Sequence, residues 1–294
     1  MKQYSYFPGC SLKSTAVAYD QSVRAISASL GLELIELEDW NCCGTSAYSS
    51  IDRLESIAIP CRNLALAEKT GLDLVTPCTA CFRTFERVNS HLKLYPFLKP
   101  KVDKVLAAAS LEYQGKVKVR HLVDVLVNDV GVEAIASKVV SPLHGLRVAI
   151  YYGCLLVRPR VAFDDPENPQ SLDGLLESLG AEVVPFPDKA RCCAGSLIIS
   201  NVGLALGMIL RILESADSNG AECIVTVCPL CQLNLDAYQG MVNSRFGTKF
   251  KLPIMFISQL LGTALGIEPK ELGFERGIVS PDKVLAGHLQ ESVR

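Results

Sequence analysis

The stretches Trp40-Asn41-Cys42-Cys43-Gly44 and Arg191-Cys192-Cys193-Ala194-Gly195 are two copies of one vicinal cysteine pair. Each pair has a lone cysteine upstream, Cys10 or Cys154, and a Cys-x-x-Cys pair downstream, Cys78 with Cys81 or Cys228 with Cys231. Written as spacing, the halves are C-x31-CC-x34-C-x2-C and C-x37-CC-x34-C-x2-C. Ten of the 12 cysteines fall into two matching sets of five, which chance does not produce.

Short apolar runs lead into every one of these cysteines. Residues 2–6 and 146–152 precede the lone cysteines, 32–37 and 181–186 the vicinal pairs, and 72–76 and 224–227 the Cys-x-x-Cys pairs. A fourth pair of strand-like runs, 117–126 and 253–261, follows. Four corresponding segments in one order indicate an internal duplication. Helix-like stretches at 20–30, 51–69, 172–179 and 204–218 lie between them, each followed by a glycine that can stop a helix. Alternating short strands and helices predict an α/β fold: tandem duplicated small α/β domains with short parallel sheets. Ligands in such folds gather beyond the carboxyl ends of the strands, which is where the cysteines stand. The expected units are a first domain over 1–140, a second over 141–267, and a C-terminal docking or covering tail over 268–294.

At 294 residues the chain is long enough for two ordinary cores. The formal charge is -2, from 29 basic and 31 acidic residues, and no basic run appears, so nucleic acid is not an expected partner. The amino terminus lacks the zones of a signal peptide, which predicts a cytoplasmic protein. Reduced surroundings make structural disulfides a poor explanation for so many cysteines and leave metal or redox chemistry. Mean hydropathy is +0.26. The longest uncharged run, 192–210, is interrupted by polar residues and begins on candidate ligand positions, so it reads as a helix buried in a core or against a partner. No direct membrane span is expected; any membrane association would come through another protein of a complex.

A C-x2-C pair with two further cysteines suits tetrahedral zinc or an iron–sulfur cluster, and spacing alone does not separate them. Zinc and a cubane cluster each use four thiolates, so a fifth favours a cluster of unusual shape or leaves one cysteine spare. A strained vicinal disulfide is a third option. Gly9 and Gly153 precede the lone cysteines, and Gly44 and Gly195 follow the vicinal pairs. Glycine there allows backbone amides to approach a cofactor, although an ordinary turn explains it equally well. Lys13, Arg83, Arg158 and Arg160 lie within a few residues of the cysteines. An anionic thiol or disulfide substrate would be held by such charges; Arg158 and Lys13 are the candidates for substrate binding.

The doubled pattern resembles the CCG (cysteine-rich) domain family, and its tandem arrangement is similar to the B subunit of heterodisulfide reductase. The resemblance covers essentially the whole chain. It implies an oxidoreductase acting on sulfur groups, with a non-cubane [4Fe-4S] cluster in each half and a disulfide cleaved between the two. Carried over by position, Cys10, Cys42, Cys43, Cys78 and Cys81 would hold the first cluster, and Cys154, Cys192, Cys193, Cys228 and Cys231 the second. Some members of the family carry zinc in one site. The implied partners are a flavin-bearing protein and a small ferredoxin-like protein, each a further component of the same complex. Related tandem proteins serve other complexes, including acyl-CoA reductases and dehydrogenases, where they would only relay electrons. Two positions depart from the pattern. Ala194 stands where the motif has glycine, a mild change unless that position needs a positive φ. Leu155 stands beside Cys154 where methanogen members tend to carry histidine, which argues against the archaeal heterodisulfide as substrate.

Cys61 and Cys223 fall outside both sets and read as core residues. His121 has Phe256 as its counterpart and reads as a packed histidine rather than a ligand.

Overall fold

The computed structural model describes residues 1–45, 48–158 and 164–289. Among these, each half forms one four-stranded sheet. The first contains β1 (Lys2–Tyr6), β2 (Leu32–Glu36), β3 (Leu74–Thr76) and β4 (Val119–His121). The second contains β5 (Arg147–Tyr151), β6 (Glu182–Val183), β7 (Cys223–Thr226) and β8 (Ile254–Phe256). Strand orders are β2-β1-β3-β4 and β6-β5-β7-β8, and every pairing is parallel. The tandem α/β expectation therefore holds. In each sheet the order reverses between the first and third strands, the place where a doubly wound sheet opens a crevice for ligand. The lone cysteine follows the first strand and the Cys-x-x-Cys pair follows the third, so both flank that crevice.

Two expectations need correction. The runs 117–126 and 253–261 supply only three strand residues each before turning helical at Leu122 and Ile257. Local capping makes the turn: His121 Nδ1 accepts from the Val123 N–H at 3.3 Å, and Gln259 Oε1 accepts from the Phe256 N–H at 2.9 Å. The uncharged run 192–210 is not one buried helix. It breaks at Asn201, whose Oδ1 caps the helix Val202–Ser218 by accepting from the Leu204 N–H at 3.1 Å. Ala205, Leu206, Ile209 and Leu213 face inward, while Ile199, Val202 and Leu204 are exposed. No helix among the described residues is long and apolar enough to cross a membrane.

The halves pack around an approximate two-fold relation. Helix Val17–Leu30 lies on helix Ile257–Ala264, and the corresponding helix Ser171–Ser178 lies on Val132–Ala136. Val23 and Ile26 thereby share one core with Leu260 and Leu261. Burying each such side chain is worth roughly 1.5–3 kcal/mol, enough to hold the halves together. The segment after residue 267 lies across both. Leu272 is fully buried, Gln259 Nε2 donates to its carbonyl at 3.0 Å, and the buried Asp236 carboxylate accepts the N–H groups of Ile278 and Val279 at 2.8 and 3.1 Å.

Candidate metal centre

Strand ends position the sulfurs. Cys10 lies in the helical turn Gly9–Leu12 after β1, Cys42 and Cys43 in the loop after β2, and Cys78 caps the helix Thr79–Leu94, whose first turn carries Cys81. The second half repeats this with the turn Cys154–Val157, the loop after β6, and the helix Pro229–Ala237 capped by Cys228. Across the halves the arrangement is reciprocal: Gly9–Leu12 packs on Pro229–Ala237, and Cys154–Val157 packs on Thr79–Leu94.

Eight of the ten sulfurs form a string, and Cys154 with Cys192 makes a separate pair beside it. Cys10 and Cys42 are 3.6 Å apart, Cys43 and Cys81 3.3 Å, and Cys193 and Cys231 3.5 Å. Cys42 also contacts Cys43, Cys81 contacts Cys78, Cys231 contacts Cys228, and Cys154 contacts Cys192. Cys78 of the first half and Cys228 of the second lie against each other, joining the two sets. The inner sulfurs are buried, whereas Cys10 and Cys42 reach solvent and Cys154 and Cys192 are half-buried. Among the described residues no three Cys, His, Asp or Glu groups converge as they would on a single ion.

Cys42 in the first set and Cys192 and Cys228 in the second are favoured as thiolate, the form that binds metal, Cys228 through its interactions with Cys231 and Cys78. Hydrogen bonds from Cys10 and Cys43, helped by the Gly44 N–H at 3.5 Å, pull the Cys42 thiol down to about 2 against the effect of burial. A hydrogen bond from Cys154 pulls its counterpart Cys192 down to about 6, again against burial and with help from the Ala194 N–H. Their partners move the other way: Cys10 and Cys154 rise through those same hydrogen bonds, and Cys43 is pushed up to about 11 by Cys42.

The residues present suit a bulky cofactor held by thiolates. A Cβ on Gly9 would lie 3.0 Å from Cys81 Sγ, and one on Gly153 3.2 Å from Cys231 Sγ, so only glycine lets the backbone come this close. Asn234 pins the second vicinal loop by donating to the carbonyls of Cys193 and Gly195, both at 2.9 Å. Its Oδ1 and the Thr226 hydroxyl are buried without a partner. Gly44 takes φ +73° and Ala194 φ +76°, so the alanine does occupy a left-handed position.

Two of the cations near the cysteines are already engaged. Lys13 is ion-paired with Glu36 at 2.9 Å and Asp20 at 3.5 Å. Arg158 pairs with Glu167 at 2.8 Å and donates to the Pro166 carbonyl at 3.0 Å. Both thus have anionic partners on this chain. Burial lowers the pKa of Arg83; Arg160 lies outside the described residues. Cys61 and Cys223 are buried core residues away from both sets, their thiols raised by burial. Sequence reasoning missed Tyr19 and Thr79, and read His121 only as packing. All three lie at the seam between the Cys-x-x-Cys loops, and no spacing rule marks them.

Comparison with known proteins agrees with this architecture. The chain is 37% identical over 285 residues to an 8-methylmenaquinol:fumarate reductase membrane anchor subunit of Wolinella succinogenes, covering 96% of this chain and 99% of that one. It is 31% identical over 291 residues to the B subunit of a ferredoxin:CoB-CoM heterodisulfide reductase of Methanosarcina mazei, covering 97% of each. A protein of Archaeoglobus profundus, named as like the B subunit of heterodisulfide reductase, is 30% identical over 279 residues, covering 92% of this chain and 93% of that one. In fold, the chain matches a crystal structure of a hypothetical protein from Helicobacter pylori with TM-score 0.77 and 15% identity, over 95% of this chain and 52% of that longer one. The family model of the cysteine-rich domain, CCG, matches twice, at residues 4–86 and 148–236. Two such matches, on two sheets of the same strand order and with relatives aligned along almost the full length, make this chain a tandem member of the CCG cysteine-rich domain family.

Proposed function

We propose that this chain is the iron–sulfur oxidoreductase subunit of a multi-protein complex and performs thiol–disulfide chemistry. In this reading Cys10, Cys42, Cys43, Cys78 and Cys81 hold one non-cubane [4Fe-4S] cluster, and Cys154, Cys192, Cys193, Cys228 and Cys231 hold the other. The contact between Cys78 and Cys228 carries the reading, because it brings the two sets within electronic reach of each other. When bound, such clusters supply one-electron capacity at each site. Cleaving a disulfide takes two electrons and two protons and yields two thiols, so paired sites suit it. The chain's own residues supply the rest: the exposed Cys10 and Cys42 side admits substrate, and the buried inner sulfurs exclude water. Cys42 also borders a cavity of about 430 Å³ with Tyr48, Ile59, Arg62 and Val105, room for the organic part of a thiol. Electrons would arrive through a flavin-bearing partner protein and a small ferredoxin-like one.

Metal analysis of anaerobically prepared chain tests this. About eight iron and no zinc per chain are expected for two four-iron clusters, together with reduction of an organic disulfide by a low-potential donor. Zinc in both halves and no iron would end the proposal. Zinc in one half alone would confine cluster chemistry to the other. Cys43→Ala is expected to lose or distort the first half's iron signal and spare the second.

A second reading is an electron relay in a complex at a membrane, with no disulfide turned over. The similarity to a membrane anchor subunit favours it, as does one surface feature. Ile199, Val202 and Leu204 are exposed beside Met241 and Phe246, where Gly203 abuts Arg245. Exposed apolar side chains beside a cation suit an anionic lipid surface. Flotation with anionic phospholipid vesicles, lost in Leu204→Asp, together with absent disulfide turnover, would favour the relay.

A further inference from the structure

The two cysteine sets look symmetric, but the groups between them do not. His121 ends β4 and pairs in register with Thr76, as Phe256 ends β8 and pairs with Thr226. Its Nδ1 accepts from the Val123 N–H, which leaves the ring proton on Nε2. Nε2–H donates to the Pro77 carbonyl at 3.0 Å and also faces the Val227 carbonyl. These carbonyls immediately precede Cys78 and Cys228. Tyr19 Oη donates to the same Val227 carbonyl at 3.3 Å, while its ring stacks on Phe256 with centroids 4.1 Å apart and planes 5° off parallel. The Thr79 hydroxyl, on an almost wholly buried residue, lies beside the Cys228 sulfur. The second half does not return two of these donors: Phe256 stands for His121 and Pro229 for Thr79, and neither side chain can donate.

We propose that Tyr19, His121 and Thr79 form a clip by which the first half positions and tunes the centre of the second, making the two centres inequivalent. The clip rests on the reading that both sets hold iron. Donors aimed at a cluster's sulfur stabilise the added electron and raise its reduction potential. In a buried seam, where water does not compete, each such bond counts for more than at the surface. The clip acts through position and dipole and takes no part in bond making.

Redox titration of the iron-loaded full chain, followed by electron paramagnetic resonance, tests the clip, with Cys43→Ala identifying the second centre's signal. Thr79→Val keeps the shape and removes the hydroxyl. It is expected to reduce that centre's reduction equilibrium about tenfold, ~59 mV downward for a one-electron couple, leaving the first centre in place. Thr79→Ser should restore it. His121→Phe copies the second half and Tyr19→Phe keeps the stack; each should weaken the magnetic interaction between centres. An unchanged second potential in Thr79→Val, an equal shift of both centres, or failure of serine to restore it would overturn the clip. If His121→Phe does not load iron, the threonine pair still decides. Failure of the underlying reading appears differently, as unmodified chain that binds no iron.

Discussion

Ala194 adopts the same left-handed backbone as Gly44, φ +76° against +73°, at the position that follows each vicinal cysteine pair. An L-residue there costs roughly 1–2 kcal/mol, of which glycine's greater freedom in the unfolded chain returns about 0.4–1 kcal/mol. Ala194→Gly is therefore expected to stabilise the chain by about 0.5–1 kcal/mol, read as a raised urea midpoint with an unchanged slope. A lowered midpoint would mean that the alanine methyl makes a packing contribution larger than the strain.

Gly9 and Gly153 face a stricter test, because a side chain there meets both positive φ and a cysteine sulfur. Gly9→Ala should displace Cys81 and cost about 1–3 kcal/mol. Iron should be lost from the first half alone, and Gly153→Ala should do the same to the second. Retention of full iron by both variants would show that the sulfurs of Cys81 and Cys231 are not held in place by those backbones.

Arg120 is almost wholly buried and serves Asp124, Asp129 and Asp73 together. Burial alone would raise the Asp124 and Asp129 carboxyls, but the Arg120 hydrogen bonds outweigh it and hold both below their ordinary value. A depressed carboxyl contributes stability above the unfolded value, about pH 3.9, and that contribution is lost as pH falls through the folded value. Arg120→Met is expected to cost about 1–3 kcal/mol near neutral pH, since it leaves the part-buried Asp124 carboxylate without its cation while Asp129 keeps Lys2. The penalty should shrink on acidification as those carboxylates take up protons, measured by denaturant unfolding across about pH 3–7. A cost that does not vary with pH would point to lost packing instead.

Asp236 fastens the C-terminal segment through the N–H groups of Ile278 and Val279. Asp236→Ala should speed hydrogen exchange at those two amides by about tenfold or more, given roughly 1.5–3 kcal/mol for a hydrogen bond to a charged group. Protection in β7 should stay unchanged. Equal loosening of both regions would mean that Asp236 supports the whole half rather than the segment.

Much of this chain is legible without coordinates. Spacing sorts ten cysteines into two sets and leaves Cys61 and Cys223 to the core, because ligand loops follow strand ends and strand ends are marked by local apolar runs. The duplication and the parallel α/β class follow from that same short-range pattern, which neighbouring residues set. Packing of one half on the other set the relation between the two cysteine sets. It put Cys78 against Cys228, aimed Thr79 at the opposite half's sulfur, and turned His121 into a bridge between two loops. Folding within each half gave Lys13 and Arg158 carboxylate partners and left one face of 192–210 in solvent. The contacts across the halves join residues far apart in the chain through the approximate two-fold relation, and no periodicity or spacing within either half encodes them.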